Sequence, residues 1–121
     1  DAVSFGGHWY KLFPGKIKWS EAQGRCQEMG GYLACAETPA EYAALVRLAT
    51  VRPAWVGAGK RAPRDWVWLT GVRVDPSLWA KGQPDNTWGK ENRGSIMRVG
   101  GLNDAPDGNK FNRGFICEWE F

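Results

Sequence analysis

The chain has 121 residues, 43% of them hydrophobic, and no apolar run approaches the roughly 20 residues of a membrane-spanning helix. Its 16 Lys and Arg against 13 Asp and Glu give a formal net charge of +3 without a basic run, a thin basis for a nucleic-acid or heparin surface. This length and composition predict one domain, residues 1–121, with a sizeable core. The chain starts at Asp1 with neither an initiator methionine nor an apolar leader, as expected of a removed signal segment or a domain cut from a longer protein.

Trp19, Ala22, Cys26 and Met29 recur at helical spacing and stop at Gly30-Gly31, so a first helix ends there. Thr38-Pro39-Ala40-Glu41 has the form of a capping box with proline at the first helical position, and Tyr42, Leu45 and Ala49 follow on one face. The second helix therefore ends before Arg52-Pro53. Short aromatic and β-branched runs then predict strands at Trp55–Ala58, Trp66–Leu69, Ile96–Val99 and Phe115–Trp119. Helices followed by strands predict an α+β domain with an antiparallel sheet. The segment between the second and third strands, rich in Pro, Gly, Asp, Asn and Lys, is longer than a structureless loop usually runs in a compact domain unless it is functional.

Cys26, Cys35 and Cys117 have no CxxC spacing and share the chain with a single histidine, His8, which leaves a structural zinc site short of ligands. One disulfide and one remaining thiol is the simplest count. Of the eight tryptophans, Trp9, Trp19, Trp55, Trp66, Trp68, Trp79 and Trp119 are assigned wholly or partly to packing. Trp88 differs, because its neighbours are polar or glycine.

The long segment contains Gln83-Pro84-Asp85 and Glu91, and a second polar pair, Asn103-Asp104, follows downstream. Five oxygen-bearing side chains from two segments form a donor set suited to Ca2+, which accepts about 6–8 hard oxygens in flexible geometry. Asp, Asn, Gly and Pro are also ordinary turn formers, and spacing by itself leaves a solvated loop equally open.

Several ordered motifs resemble the C-type lectin-like domain over nearly the whole chain. They are Trp19-Ser20-Glu21-Ala22 with Cys26, Gly31-Tyr32-Leu33-Ala34, Trp55-Val56-Gly57-Ala58 and Trp79-Ala80-Lys81-Gly82-Gln83-Pro84-Asp85. Leu102-Asn103-Asp104 resembles the family's WND motif with leucine in place of tryptophan, and Phe115-Ile116-Cys117-Glu118 its FICE motif. The resemblance implies a C-type lectin-like fold with a long calcium-binding loop, a Cys26–Cys117 disulfide and an extracellular or cell-surface setting. It implies a calcium site of Gln83, Asp85, Glu91, Asn103 and Asp104, a cis bond before Pro84, and a sugar bound through two neighbouring hydroxyls on the ion.

In that family the QPD order resembles galactose-type sites, so the expected partners are glycans carrying galactose or N-acetylgalactosamine, held by their 3- and 4-hydroxyls. Gln83 can donate through its amide whereas ionised Asp85 only accepts, which sets an asymmetric order across the hydroxyl pair. Trp88 is the candidate to cover the sugar's apolar face, with packing against the loop base as its other reading. The family's usual second disulfide is absent: Arg93 and Asp107 stand at its positions and are expected to form an ion pair.

No enzyme is expected. A glycosidase pair of Asp85 with Glu91, or Asp104 with Asp107, is the alternative in that class, but ion-bound carboxylates stay deprotonated and make poor general acids. The stronger alternative is a calcium-stabilised protein-binding module on the same fold. Oligomers would add avidity to a shallow site.

Overall fold

The computed structural model describes residues 2–86, 90–108 and 111–120. Two helices and eight strands follow one another as β1 (Val3–Phe5), β2 (His8–Pro14), α1 (Trp19–Glu28), β3 (Tyr32–Leu33), α2 (Pro39–Leu48), β4 (Ala54–Ala62), β5 (Asp65–Trp68), β6 (Arg93–Ile96), β7 (Leu102–Ala105) and β8 (Gly114–Glu120). The main strand order is β1-β2-β8-β4-β6-β7, with β3 on β8 and β5 on β4.

The sheet is mixed, which corrects the expectation of a purely antiparallel one. The final strand β8 inserts between β2 and β4, running antiparallel to β2 over seven residue pairs and parallel to β4 at Ala54↔Gly114 and Trp55↔Phe115. A parallel neighbour needs a long connection, and the chain from β4 to β8 supplies one.

Both helices form where their sequence signals stand. α1 ends at Glu28, and Gly30 adopts φ 84°, the left-handed conformation that costs glycine nothing. α2 starts with Thr38 accepting a hydrogen bond from the Glu41 N–H, whereas the Glu41 carboxylate reaches the Glu37 N–H. The expected strand at Ile96–Val99 lies three residues too late. Only Ile96 belongs to β6, and Met97 to Gly100 form a turn that leaves Val99 80% exposed.

One core cluster gathers Tyr10, Leu45, Val56, Trp68, Ile96 and Ile116; a second joins Trp19, Cys26, Leu33, Trp55, Phe115 and Cys117. The Trp19 and Trp55 indoles donate to the Val56 and Ile17 carbonyls, which satisfies the polar edge that buried indoles carry. Trp9 is the most exposed of the seven tryptophans assigned to packing, at 41%. The Cys26–Cys117 disulfide joins α1 to β8 inside the second cluster, and Cys35 is the buried free thiol.

Arg93 and Asp107 do not pair with each other. The Arg93 guanidinium lies 4.0 Å from the centre of the Trp19 ring, while the Asp107 carboxylate accepts from the Ser20 N–H at 2.8 Å and its hydroxyl at 2.9 Å. The first turn of a helix carries unsatisfied N–H groups and the positive end of its dipole, so the carboxylate is drawn there.

Glu118 is buried, accepts from the Cys35 N–H and the Tyr32 hydroxyl, and stands beside His8 Nδ1. Burial pushes its carboxyl above the ordinary value of 4.5, against the lowering effect of these donors. A folded-state pKa above the unfolded one means that the folded chain takes up the proton first, so this group's contribution to stability grows as pH falls through the raised value and is lost as pH rises. Urea unfolding of wild type and Glu118→Gln at about pH 7 and about pH 5 should therefore show the difference moving in favour of wild type at the lower pH; movement the other way would refute the burial argument.

Candidate functional site

The segment leading into the site is anchored to β7. The Ala80 N–H donates to the Leu102 carbonyl at 2.9 Å, and a Cβ on Gly101 would lie 2.6 Å from the Ala80 Cα, so only glycine permits this approach. Gly82 at φ 83° then turns the chain, the Gln83 N–H closes on the Ala80 carbonyl at 2.9 Å, and the Gln83–Pro84 bond is cis.

Beyond the proline, two consecutive backbone N–H groups meet one carboxylate. Asp85 donates to Asp104 Oδ1 at 3.1 Å and Asn86 to Asp104 Oδ2 at 2.7 Å. Asn86, at φ 50°, accepts from the Glu91 N–H at 3.2 Å through its side-chain oxygen, folding the far end of the loop back. Asn86 is not among the residues that the motifs point to, although its type carries a signal, because asparagine tolerates left-handed φ and readily binds nearby backbone.

The result is that one carboxylate oxygen from each of Asp85, Glu91 and Asp104 lies within 4.8 Å of the other two. Glu91 and Asp104 are buried and Asp85 is exposed. Gln83 Nε2 lies 3.4 Å from Asp85 Oδ2, a long hydrogen bond, and Gln83 Oε1 is buried with no hydrogen-bond partner among the described residues. Asn103 stands beside Asp104 on β7, opposite Ser95 of β6. Trp88 lies outside the described residues. Asp107, proposed above as a catalytic alternative with Asp104, is engaged at the start of α1.

Burial pushes the Asp104 carboxyl above its ordinary range; the two backbone donors oppose this and the neighbouring Asp85 charge adds to it. A cation among the three carboxylates would reverse that balance, since it favours their charged forms. The donors are all hard oxygens, and the amide oxygen left without a donor adds a neutral one, a combination that fits Ca2+.

The carbohydrate-recognition domain of cow CD23, determined in the presence of a GlcNAc2Man3 oligosaccharide, superimposes with a TM-score of 0.90 at 26% identity, covering 99% of this chain and 93% of that one. The fold is that of a C-type lectin domain. The family model for the Lectin C-type domain matches residues 15–119, and the chain belongs to that family. It is 32% identical over 122 residues to human C-type lectin domain family 4 member G, covering 96% of this chain but spanning only 41% of the relative's length. Lectin BRA-3 of Megabalanus rosa is 28% identical over 123 residues, covering 98% of this chain and 75% of that protein.

Domains of this family are in general calcium-dependent carbohydrate binders without enzymatic activity, and they are typically extracellular or on the cell surface. The disulfide is compatible with that setting. Among the described residues no helix is long and apolar enough to cross a membrane.

Proposed function

We propose that residues 1–121 form one carbohydrate-recognition domain that binds galactose or N-acetylgalactosamine at a calcium site made by Gln83, Asp85, Glu91, Asn103 and Asp104. The observation that carries this reading is the convergence of three carboxylates beside the buried, unpartnered Gln83 Oε1. A bound calcium ion would offset the carboxylate charge and offer open coordination positions to two vicinal hydroxyls.

The protein's own part is the order of donors and acceptors. Gln83 presents an amide Nε2 with a long bond to Asp85 among the described residues, so it can donate to one hydroxyl, while the Asp85 carboxylate accepts from the other. Reversing that order would suit a different pair of hydroxyl orientations, which is why the QPD sequence supports a galactose-type specificity. Trp88 is assigned to the apolar face of the sugar within this proposal.

A glycan array probed with calcium and with chelator tests the reading. Galactose-terminated glycans should be retained with calcium and released with chelator, and free galactose should compete. Preference for mannose-terminated glycans would overturn the specificity. Chelator-resistant binding, or binding that galactose leaves untouched, would overturn the sugar mechanism itself.

A further inference from the structure

A groove of about 760 Å³ shares Gln83 and Pro84 with the segment of the proposed calcium site. Small-molecule clefts usually measure about 300–1,000 Å³, so this space is large enough for a sugar residue. Its apolar wall includes Trp66 and Trp79, whose rings meet edge to face with centroids 4.9 Å apart. Trp66 is buried, whereas Trp79 is only half-buried and keeps part of its surface on the groove.

The remaining wall mixes guanidinium and carboxylate groups, with Arg64 and Arg73 lining it together with Glu37, Asp65 and Asp75. Asp65 accepts a hydrogen bond from Arg61 Nε at 2.8 Å, which holds its carboxyl below the usual range, and Arg73 Nε lies 3.9 Å from its other oxygen. That other oxygen, Oδ1, is buried and has no hydrogen-bond partner. The Asp75 carboxylate caps the Pro76–Leu78 turn through the Ser77 N–H. Arg64, held at φ 61°, makes no ion pair with any described residue.

An aromatic surface bordered by both planar donors and planar acceptors matches a pyranose, which has an apolar face and a rim of hydroxyls that each donate and accept. Alternating signs argue against an anionic ligand, because a sulfate or carboxylate brought to Arg64 and Arg73 would also meet Asp65 and Asp75. We infer that this groove is a second sugar subsite, holding a neutral hexose linked to the galactose at the calcium site, so that the domain recognises an oligosaccharide. The inference rests on the function proposed above, since Gln83 and Pro84 form the wall shared by the two sites.

The test is titration calorimetry in calcium with methyl galactoside and with disaccharides joining galactose to a second hexose through each common linkage. At least one disaccharide should bind about tenfold tighter than methyl galactoside, a gain that corresponds to one additional subsite contributing about 1.4 kcal/mol. The variants Arg73→Ala and Arg64→Asn remove the two guanidinium groups, and asparagine tolerates the left-handed backbone at position 64. Each should cut the disaccharide affinity toward that of methyl galactoside while leaving the monosaccharide unchanged. No gain from any linkage, equal losses for both ligands, or preference for sulfated over neutral disaccharides would overturn the groove assignment alone. Failure of methyl galactoside to bind in a calcium-dependent way would overturn the primary site and the groove with it.

Discussion

Asp104→Asn is expected to weaken calcium affinity by at least the roughly 10- to 100-fold seen when groups that merely orient metal ligands are removed, and galactoside affinity should fall with it. Asp104 serves two purposes at once. One of its oxygens belongs to the carboxylate triad with Asp85 and Glu91, and the pair together accept the N–H groups of Asp85 and Asn86. Asparagine keeps one acceptor and puts an NH2 donor against a backbone donor, and a buried N–H left unmatched costs about 1–3 kcal/mol. The loop therefore loses its tether to β7 as well as a negative charge. Calcium titration calorimetry measures the affinity, and urea unfolding in chelator establishes that the fold persists. Wild-type calcium affinity in this variant would remove Asp104 from the site.

The second large effect concerns stability. The paired variant Cys26→Ala/Cys117→Ala is expected to lose about 2–5 kcal/mol, the usual consequence of removing a native disulfide from a small domain. The two cysteines are 91 positions apart and fully buried, so the bond restricts most of the unfolded chain and also fills space between Trp19, Leu33, Trp55 and Phe115. Alanine avoids placing a hydroxyl in that apolar cluster. Denaturant unfolding, with reduced wild type as the matching control, gives the difference; a loss under about 1 kcal/mol would mean that packing alone carries this region. Cys35→Ala should leave the disulfide intact. Burial pushes the Cys35 thiol up to about 12, so it supplies little thiolate for exchange at neutral pH.

Local chemistry explains which elements could be read from sequence. The helices were legible because Gly30-Gly31 stops α1 and Thr38-Pro39 starts α2, signals that act within a few residues. β4, β5 and β8 were legible because their aromatic and branched side chains fill the core. β6 was placed too late because Gly94 and Ser95 carry no apolar side chain, and a strand through them announces nothing. β7 was missed for a related reason, since Asn103 and Asp104 look like turn residues while standing in a ladder. Strand direction between β4 and β8, and the separate partners of Arg93 and Asp107, depend on tertiary neighbours that no short-range pattern specifies.

The candidate site divides the same way. Its donor types are plain from Gln83, Asp85, Glu91, Asn103 and Asp104, whereas the approach of Asp85, Glu91 and Asp104 depends on contacts between residues 80 and 102 and between 85 and 104 that no short-range pattern specifies. The groove at Trp66 and Trp79 was invisible for the opposite reason: both rings are sound core residues, and only the folded chain reveals that one keeps a surface outside.

Asp107 reaches back 87 positions to complete the opening turn of α1. The helix therefore draws acceptors for its first turn from a residue far along the chain, and before that residue is in place the Trp19 and Ser20 N–H groups lack these partners. Such long-range closure is the kind of contact that slows folding.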